Sequence, residues 1–297
     1  MPEISLLLPT RGRPHLVRRF FQSLLAQTAS LENIEVVLYL DHDDTGSHDL
    51  RCDGLSLVKI IGPQSSMGAY MMACLNRSSG DLIILMNDDV VVRTPSWDSQ
   101  IVKFAAGISD GIFLAYGNDL HMGKRMCTFP ILSRKTCEIM IQPYPEEYLG
   151  GFIDWHLFDL FKRLKHMGQN RIFYLHWLVF EHLHVDTGKA EPDPTYQASG
   201  RYTGDWPFVC LRDQRQAAAK RLRASIIGEP LPALQPKSAL PSRPSNSVRI
   251  LLWYASVFLL DFALPIHERL HLFAWMTARY LRYRGYLPPK YINIQLV

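Results

Sequence analysis

The apolar run Leu82-Ile83-Ile84-Leu85-Met86 ends in Asn87-Asp88-Asp89, and the run Ile34 to Leu40 ends in Asp41-His42-Asp43-Asp44. Carboxylates at the end of a buried run are costly unless water or a cation compensates them. A hard divalent cation takes oxygen ligands, commonly one or two carboxylates completed by substrate phosphates. Such an ion neutralises the charge that grows on a departing pyrophosphate. Asn87 and Asp89 would straddle it, with Asp88 between them. Farther on, His182 and His184 alternate, so in an extended strand both face one side, opposite Glu181 and Leu183. Neutral imidazoles so placed can ligate a metal. Asp154 follows Gly150-Gly151-Phe152-Ile153. At a helix start its carboxylate either rests against the dipole or takes a proton from a hydroxyl. The plain alternatives are an acidic turn at 87–89 and structural roles for the histidines.

The frame for these residues is legible in the hydrophobic pattern. Ile4 to Pro9 reads as a buried strand, followed by a turn at Thr10-Arg11-Gly12-Arg13-Pro14 and a helix over His15 to Gln27. Val17, Phe20, Phe21, Leu24 and Leu25 form that helix's apolar face. Further strands are expected at 34–40, 57–61, 82–86, 112–116, 128–132 and 171–180, with helices at 65–77, 150–167 and 211–224. Strands alternating with helices predict an α/β fold, a mostly parallel sheet flanked by helices. Ligands of such sheets sit beyond the carboxyl ends of the strands, which is where the acidic clusters fall.

Composition adds exclusions. The chain has 297 residues, of which 47% are hydrophobic and 20% charged, an ordinary globular balance. A net charge of +4 without a basic stripe in the first 220 residues argues against nucleic acid as a partner. Five cysteines with no CxxC spacing argue against a zinc ribbon or a disulfide framework, and favour a reducing, cytoplasmic setting. The opening MPEISLLLPTRGRP lacks the shape of a signal peptide, since its basic residues follow the apolar stretch.

Five segments in order resemble the family 2 glycosyltransferases of GT-A fold: SLLLPTRGRPHLVRRFFQSLLAQT, VVLYLDHDDTGS, MGAYMMACLNRSSGDLIILMNDDV, LGGFIDWHLFDLFKRLKHMG and FEHLHVDTGKAEPDPTY. They span about residues 3 to 215. The resemblance implies an inverting enzyme that moves a sugar from a nucleotide-sugar donor to a hydroxyl acceptor, with Mg²⁺ or Mn²⁺ as cofactor. By that resemblance Pro9, Thr10 and Arg11 line the nucleotide pocket, and Asp41 contacts base or ribose with Asp43 nearby. Asp89 binds the metal with Asn87 in the place of the usual first aspartate, Asp88 lies on the donor side, and His182 or His184 joins the metal or pyrophosphate. Asp154 becomes the general base. Asn87 is neutral where many relatives carry a carboxylate, and Cys74-Leu75-Asn76 stands where an Arg-Asn pair is common, which places Asn76 among the donor contacts.

Other residues carry weaker expectations. Asp159 is expected to be a solvated helix residue, His176 a core residue, and Glu146-Glu147 a surface loop near the acceptor mouth. Lys124, Arg125 and Arg134 either contact an anionic acceptor or diphosphate, or form a solvated face.

Residues 1–227 read as the catalytic domain, 228–247 as a Pro-rich linker and 248–297 as a helical appendage. The stretch 249–264 is short for a membrane span. The aromatic and basic stretch beyond it suits either a membrane interface, with Arg279, Arg282, Arg284 and Lys290 outward, or a helical pair packed on the domain or a second subunit. A membrane surface would bring the enzyme to a lipid-linked saccharide on the inner face of the plasma membrane, and bacterial surface-polysaccharide synthesis fits by analogy. The rival readings are a nucleotidyltransferase, which the single glycine of PTRGRP disfavours, and a non-catalytic scaffold, which Asn87 keeps open.

Overall fold

Every residue of Ile4–Thr10 (β1) and of Ile34–Asp41 (β2) is buried, which a strand achieves only where both faces of its sheet are covered. The computed structural model describes residues 2–191, 200, 202–233 and 239–288. Six further strands complete the sheet: β3 (Ser56–Gly62), β4 (Leu82–Leu85), β5 (Val90–Val92), β6 (Leu114–Asn118), β7 (Ile131–Ser133) and β8 (Ile172–His182). Their order is β3-β2-β1-β4-β7-β6-β8-β5. β1, β2, β3 and β4 are mutually parallel, as are β6 and β8; β7 and β5 run antiparallel to their neighbours.

The two-residue period of the strands divides the core. Leu6, Leu8, Val36 and Leu38 face one cluster with Phe20, Phe21 and Leu24 of α1 (Pro14–Gln27) and Trp97 and Ile101 of α4 (Trp97–Ala106). Leu7, Val37 and Ile83 face the other, against α3 (Met67–Arg77), α5 (Arg134–Met140) and α6 (Ile153–His166). A single turn, α2 (Thr45–His48), follows β2, and α7 (Asp205–Cys210) and α8 (Arg212–Ile227) close the second face. The expected elements are present within a few residues. The sequence reading did not foresee β5, α4 or α5.

The C-terminal segment forms α9 (Ser247–Tyr254), a π-helical turn over Ala255–Leu259 and α10 (Ile266–Tyr283). It packs on the helices that cover the sheet's second face. Tyr254, Phe258, Trp275, Met276 and Tyr280 belong to the second core cluster. Trp275 meets Trp155 at 4.3 Å between ring centroids, and Lys162 pairs with Glu268 at 2.8 Å. Arg279, expected to point outward, is 4% exposed and ion-paired to buried Asp205 at 2.7 Å. Burying an apolar seam in this way ordered the segment inward and took Arg279 with it. Lys290 lies outside the described residues.

Two other expectations fail. Asp159 is buried, not solvated, because Arg163 and Arg215 close on its Oδ2 at 2.8 and 2.6 Å, and Arg163 reaches on to Asp261 at 2.7 Å. His176 is exposed. It sits in β8 where the strand departs from regular pairing with β6, between Leu175 and Val179.

Candidate active site

The loop after β1 is tied down by carboxylates from two other strand ends. Thr10 donates to Asp88 Oδ2 at 2.8 Å and Arg13 to Asp88 Oδ1 at 3.2 Å. Asp88 is thus buried with both oxygens engaged, and it holds the β1–α1 turn against the end of β4. Burial pushes its carboxyl up, more than the Arg13 charge offsets. Arg11 donates to Asp41 at 2.5 Å and makes a two-pronged contact with Asp43 at 2.7 and 2.8 Å. Gly12 N–H donates to Asp44 at 2.7 Å.

Asp41 is 2% exposed. Besides Arg11 it accepts a hydrogen bond from Tyr70 at 2.7 Å, and the Tyr70 ring packs on Tyr39 at 4.5 Å. Tyr70 lies in the first turn of α3, which runs back across the sheet, so that its first turn is at the strands' carboxyl ends. Asn76 lies in the last turn, exposed, next to Ser79 and Gly80, which hydrogen-bond Glu35 and Ser5 at the amino ends. The expected donor contact at Asn76 is therefore corrected: the helix direction removes it and supplies Tyr70. Arg134 is also displaced, bonding Gly80 O and Ser78 at that far end.

A second group gathers where β5 pairs with β8. The ladder sets Val90 opposite His182, which brings His182 Nε2 to 3.3 Å from Asp89 Oδ1. Burial opposes both charges, yet their mutual attraction wins: the Asp89 carboxyl lies below its ordinary range and the His182 imidazolium is favoured. His184, just past the strand, has its ring 4.9 Å from that of His182, and His121 stacks on His184 at 5.5 Å. Asp119 ends β6 as the other acidic residues end their strands. Its Oδ1 accepts from the N–H groups of His121, Met122 and Gly123 at 3.0, 2.7 and 2.7 Å. Tyr70, Arg13, Asp119 and His121 were all missed from sequence, though Asp119 carries the same strand-end signal as Asp41 and Asp89.

Asp154 stands in the first turn of α6, half-buried, with Oδ1 accepting from Trp155 N–H at 2.8 Å. Desolvation pushes its carboxyl up to about 6, with the Asp119 charge adding and His182 opposing. The preceding Phe152 holds φ at 87°, left-handed for a non-glycine residue. Its ring is wedged against Gly204, Phe208 and Trp275, which supports the strained turn that aims Asp154.

Could this site hold a divalent ion? Asp89 Oδ1 is buried and accepts no well-aligned hydrogen bond, and Asp119 Oδ2 is likewise unsatisfied. Among the described residues no three His, Cys, Asp or Glu side chains converge as a complete cage. A small hard cation does not need one, since substrate phosphates supply the remaining oxygens. Asp89 with His182, and the exposed Asn87 beside them, fit that kind of site.

Residues 5–140 match the family described as Glycosyl transferase family 2. The chain also aligns with solved structures. A mannosyltransferase, PcManGT from Pyrobaculum calidifontis, in complex with GDP-Man and Mn²⁺, aligns with a TM-score of 0.50 at 11% identity, over 97% of this chain and 88% of that one. S. aureus TarS 1–349 in complex with UDP-GlcNAc gives 0.47 at 14% identity over 95% and 92%. Glucosyl-3-phosphoglycerate synthase from Mycobacterium tuberculosis, with Mn²⁺, UDP-glucose and phosphoglyceric acid, gives 0.47 at 13% identity over 72% and 80%. No curated protein matches the chain in sequence.

Proposed function

We propose that the protein is an inverting glycosyltransferase that takes a nucleotide-diphosphate sugar as donor and a saccharide hydroxyl as acceptor. One observation carries this reading: a half-buried carboxyl, Asp154, raised to about 6, lies within electrostatic reach of His182, the partner of Asp89. A base poised near neutral pH beside a cation-accepting carboxylate suits attack by a hydroxyl and departure of a diphosphate.

The nucleoside half of the donor lies along Tyr70, Asp41 and the backbone of Pro9 to Arg11. Arg11 bridges Asp41 and Asp43 across that pocket and must swing aside or stack on the base. Asp89, Asn87 and His182 would hold a Mg²⁺ or Mn²⁺ ion, which supplies Lewis-acid neutralisation of the leaving diphosphate when bound. His184 and His121 extend the imidazole stack toward that charge. Asp154 accepts the proton of the acceptor hydroxyl as its oxygen bonds to the anomeric carbon. The bond from that carbon to the diphosphate oxygen breaks on the opposite face, which inverts the centre. The side chains of Asp88 and Thr10 hold the loop in position through their mutual hydrogen bond.

A role in bacterial surface polysaccharide or glycolipid synthesis at the inner membrane face accords with the outer surface of the C-terminal helices. Leu252, Leu260, Phe262, Ile266 and Leu270 are exposed there. No described helix is long and apolar enough to cross a membrane, so contact would be peripheral.

Thermal melts with UDP, GDP, dTDP and CDP, each with and without Mn²⁺, test the reading. A rise with one nucleotide that needs the metal and is lost in Asp89→Ala supports it. Flat melts with all four would reject it.

A further inference from the structure

A cleft of 580 Å³ opens between α6, the parallel pair β6–β8 and the C-terminal helix α10. Tyr116, Phe158 and Tyr174 form its aromatic floor, with Tyr116 5.9 Å from Phe158 and 5.4 Å from Tyr174. Lys124, Lys162 and Lys165 stand around it, and the first turn of α10 closes the outer side with His267 and Glu268. On the reading that Asp154 is the base, we propose that this cleft is the acceptor channel and that it takes a saccharide carrying a phosphate group.

The helix places the cleft in line with the chemistry. Asp154, Phe158, Lys162 and Lys165 recur at intervals of four, four and three, so they lie in one stripe along α6. At about 1.5 Å of rise per residue, Phe158 is about 6 Å and Lys165 about 16 Å along the axis from the base. An acceptor whose reactive hydroxyl meets Asp154 therefore extends its remaining body over the aromatic floor. Aromatic faces offer the apolar surface that the C–H face of a sugar ring packs against.

Charge then selects the substituent. Glu268 is the one carboxylate on the lining among the described residues, and it is already matched to Lys162 at 2.8 Å, whose ammonium also lies 4.9 Å over the Phe158 ring. Lys124 and Lys165 are exposed and form no ion pair among the described residues. The cleft thus carries an excess of positive charge at its outer end. Among the described residues no arginine lines it, so they offer no planar fork to grip a carboxylate, and ammonium groups serve a phosphate as point charges. The phosphate belongs either to a free sugar phosphate or to a lipid headgroup presented at a bilayer.

Differential lysine acetylation of the full chain, read by mass spectrometry, tests this. The probes are glucose 1-phosphate, neutral glucose, and phosphatidylglycerol vesicles against phosphatidylcholine vesicles. Glucose 1-phosphate should slow acetylation of Lys124 and Lys165 at least threefold, glucose should not, and Lys124→Gln/Lys165→Gln should abolish its saturable binding. Protection by phosphatidylglycerol vesicles alone would uphold the phosphate site and assign its source to a headgroup. Absence of protection by both anionic probes, or binding undiminished in the double variant, overturns the proposal. The nucleotide-dependent melting rise, measured on the same double variant, should persist. Lysine protection without any such rise in the native chain would sink the transferase reading and the acceptor role, and leave only a phosphate site.

Discussion

Replacing Asp154 with Asn should stabilise the fold at pH 8 while it abolishes turnover. Burial raises this carboxyl from its ordinary 3.8 to about 6. A raised carboxyl pKa means that the folded chain binds its proton more tightly than the unfolded chain does. Stability is therefore fully retained below about pH 4 and falls as pH climbs through 6. A shift of about two units corresponds to at most about 3 kcal/mol lost by pH 8. Asparagine keeps the oxygen that accepts from Trp155 N–H and carries no charge. Because the side chain is only half-buried and the new amide needs a partner, we expect a gain of about 1–3 kcal/mol, or about 2–6 °C in Tm. Melts should be run from pH 4 to 8 in EDTA, and nucleoside diphosphate release should be assayed with Mn²⁺. The gain should vanish near pH 4, and turnover should drop by about 10²–10⁴. A variant no more stable than the native chain at pH 8, or one whose gain is the same at pH 4, would refute the claim that Asp154 is held in the pocket at a cost in stability.

Asp159→Ala strips fully buried Arg215 of its carboxylate and leaves fully buried Arg163 with Asp261 alone, and should cost about 3–5 kcal/mol, seen as a lower denaturation midpoint. The Asp159 carboxyl is held well below its ordinary range, since the two arginines outweigh burial, so its contribution is present at neutral pH and is lost only as pH falls below about 4. Tyr70→Phe removes the 2.7 Å bond to Asp41 and should weaken nucleotide binding by several-fold in calorimetry, with a stability loss of about 1 kcal/mol. An unchanged affinity would remove Tyr70 from the donor pocket. Gly68→Ala puts a Cβ 1.9 Å from Pro145 O, so α3 must shift away from the segment leading to α6, with a loss of about 2 kcal/mol or more on chemical denaturation. A neutral result would mean that this close approach relaxes freely.

What the sequence determined was local. Continuous apolar runs named the buried strands, and polar punctuation placed Asp41, Asp89 and Asp154 at element ends, because period and burial are written residue by residue. Direction across the sheet is not written that way. α3 turns Tyr70 to the pocket and Asn76 away from it, and that follows from how the helix returns between β3 and β4. His182 reaches Asp89 because β5 pairs with β8 across 92 residues of intervening chain, a register no local pattern encodes. Asp159 looked like a solvated helix charge and Arg279 like an outward cation of a membrane-facing cluster until tertiary packing set opposite charges against them, since burial of an ion depends on partners far away in sequence. The cleft beside α6 likewise exists only because the C-terminal helices dock on the domain, bringing α10 opposite lysines more than a hundred residues earlier.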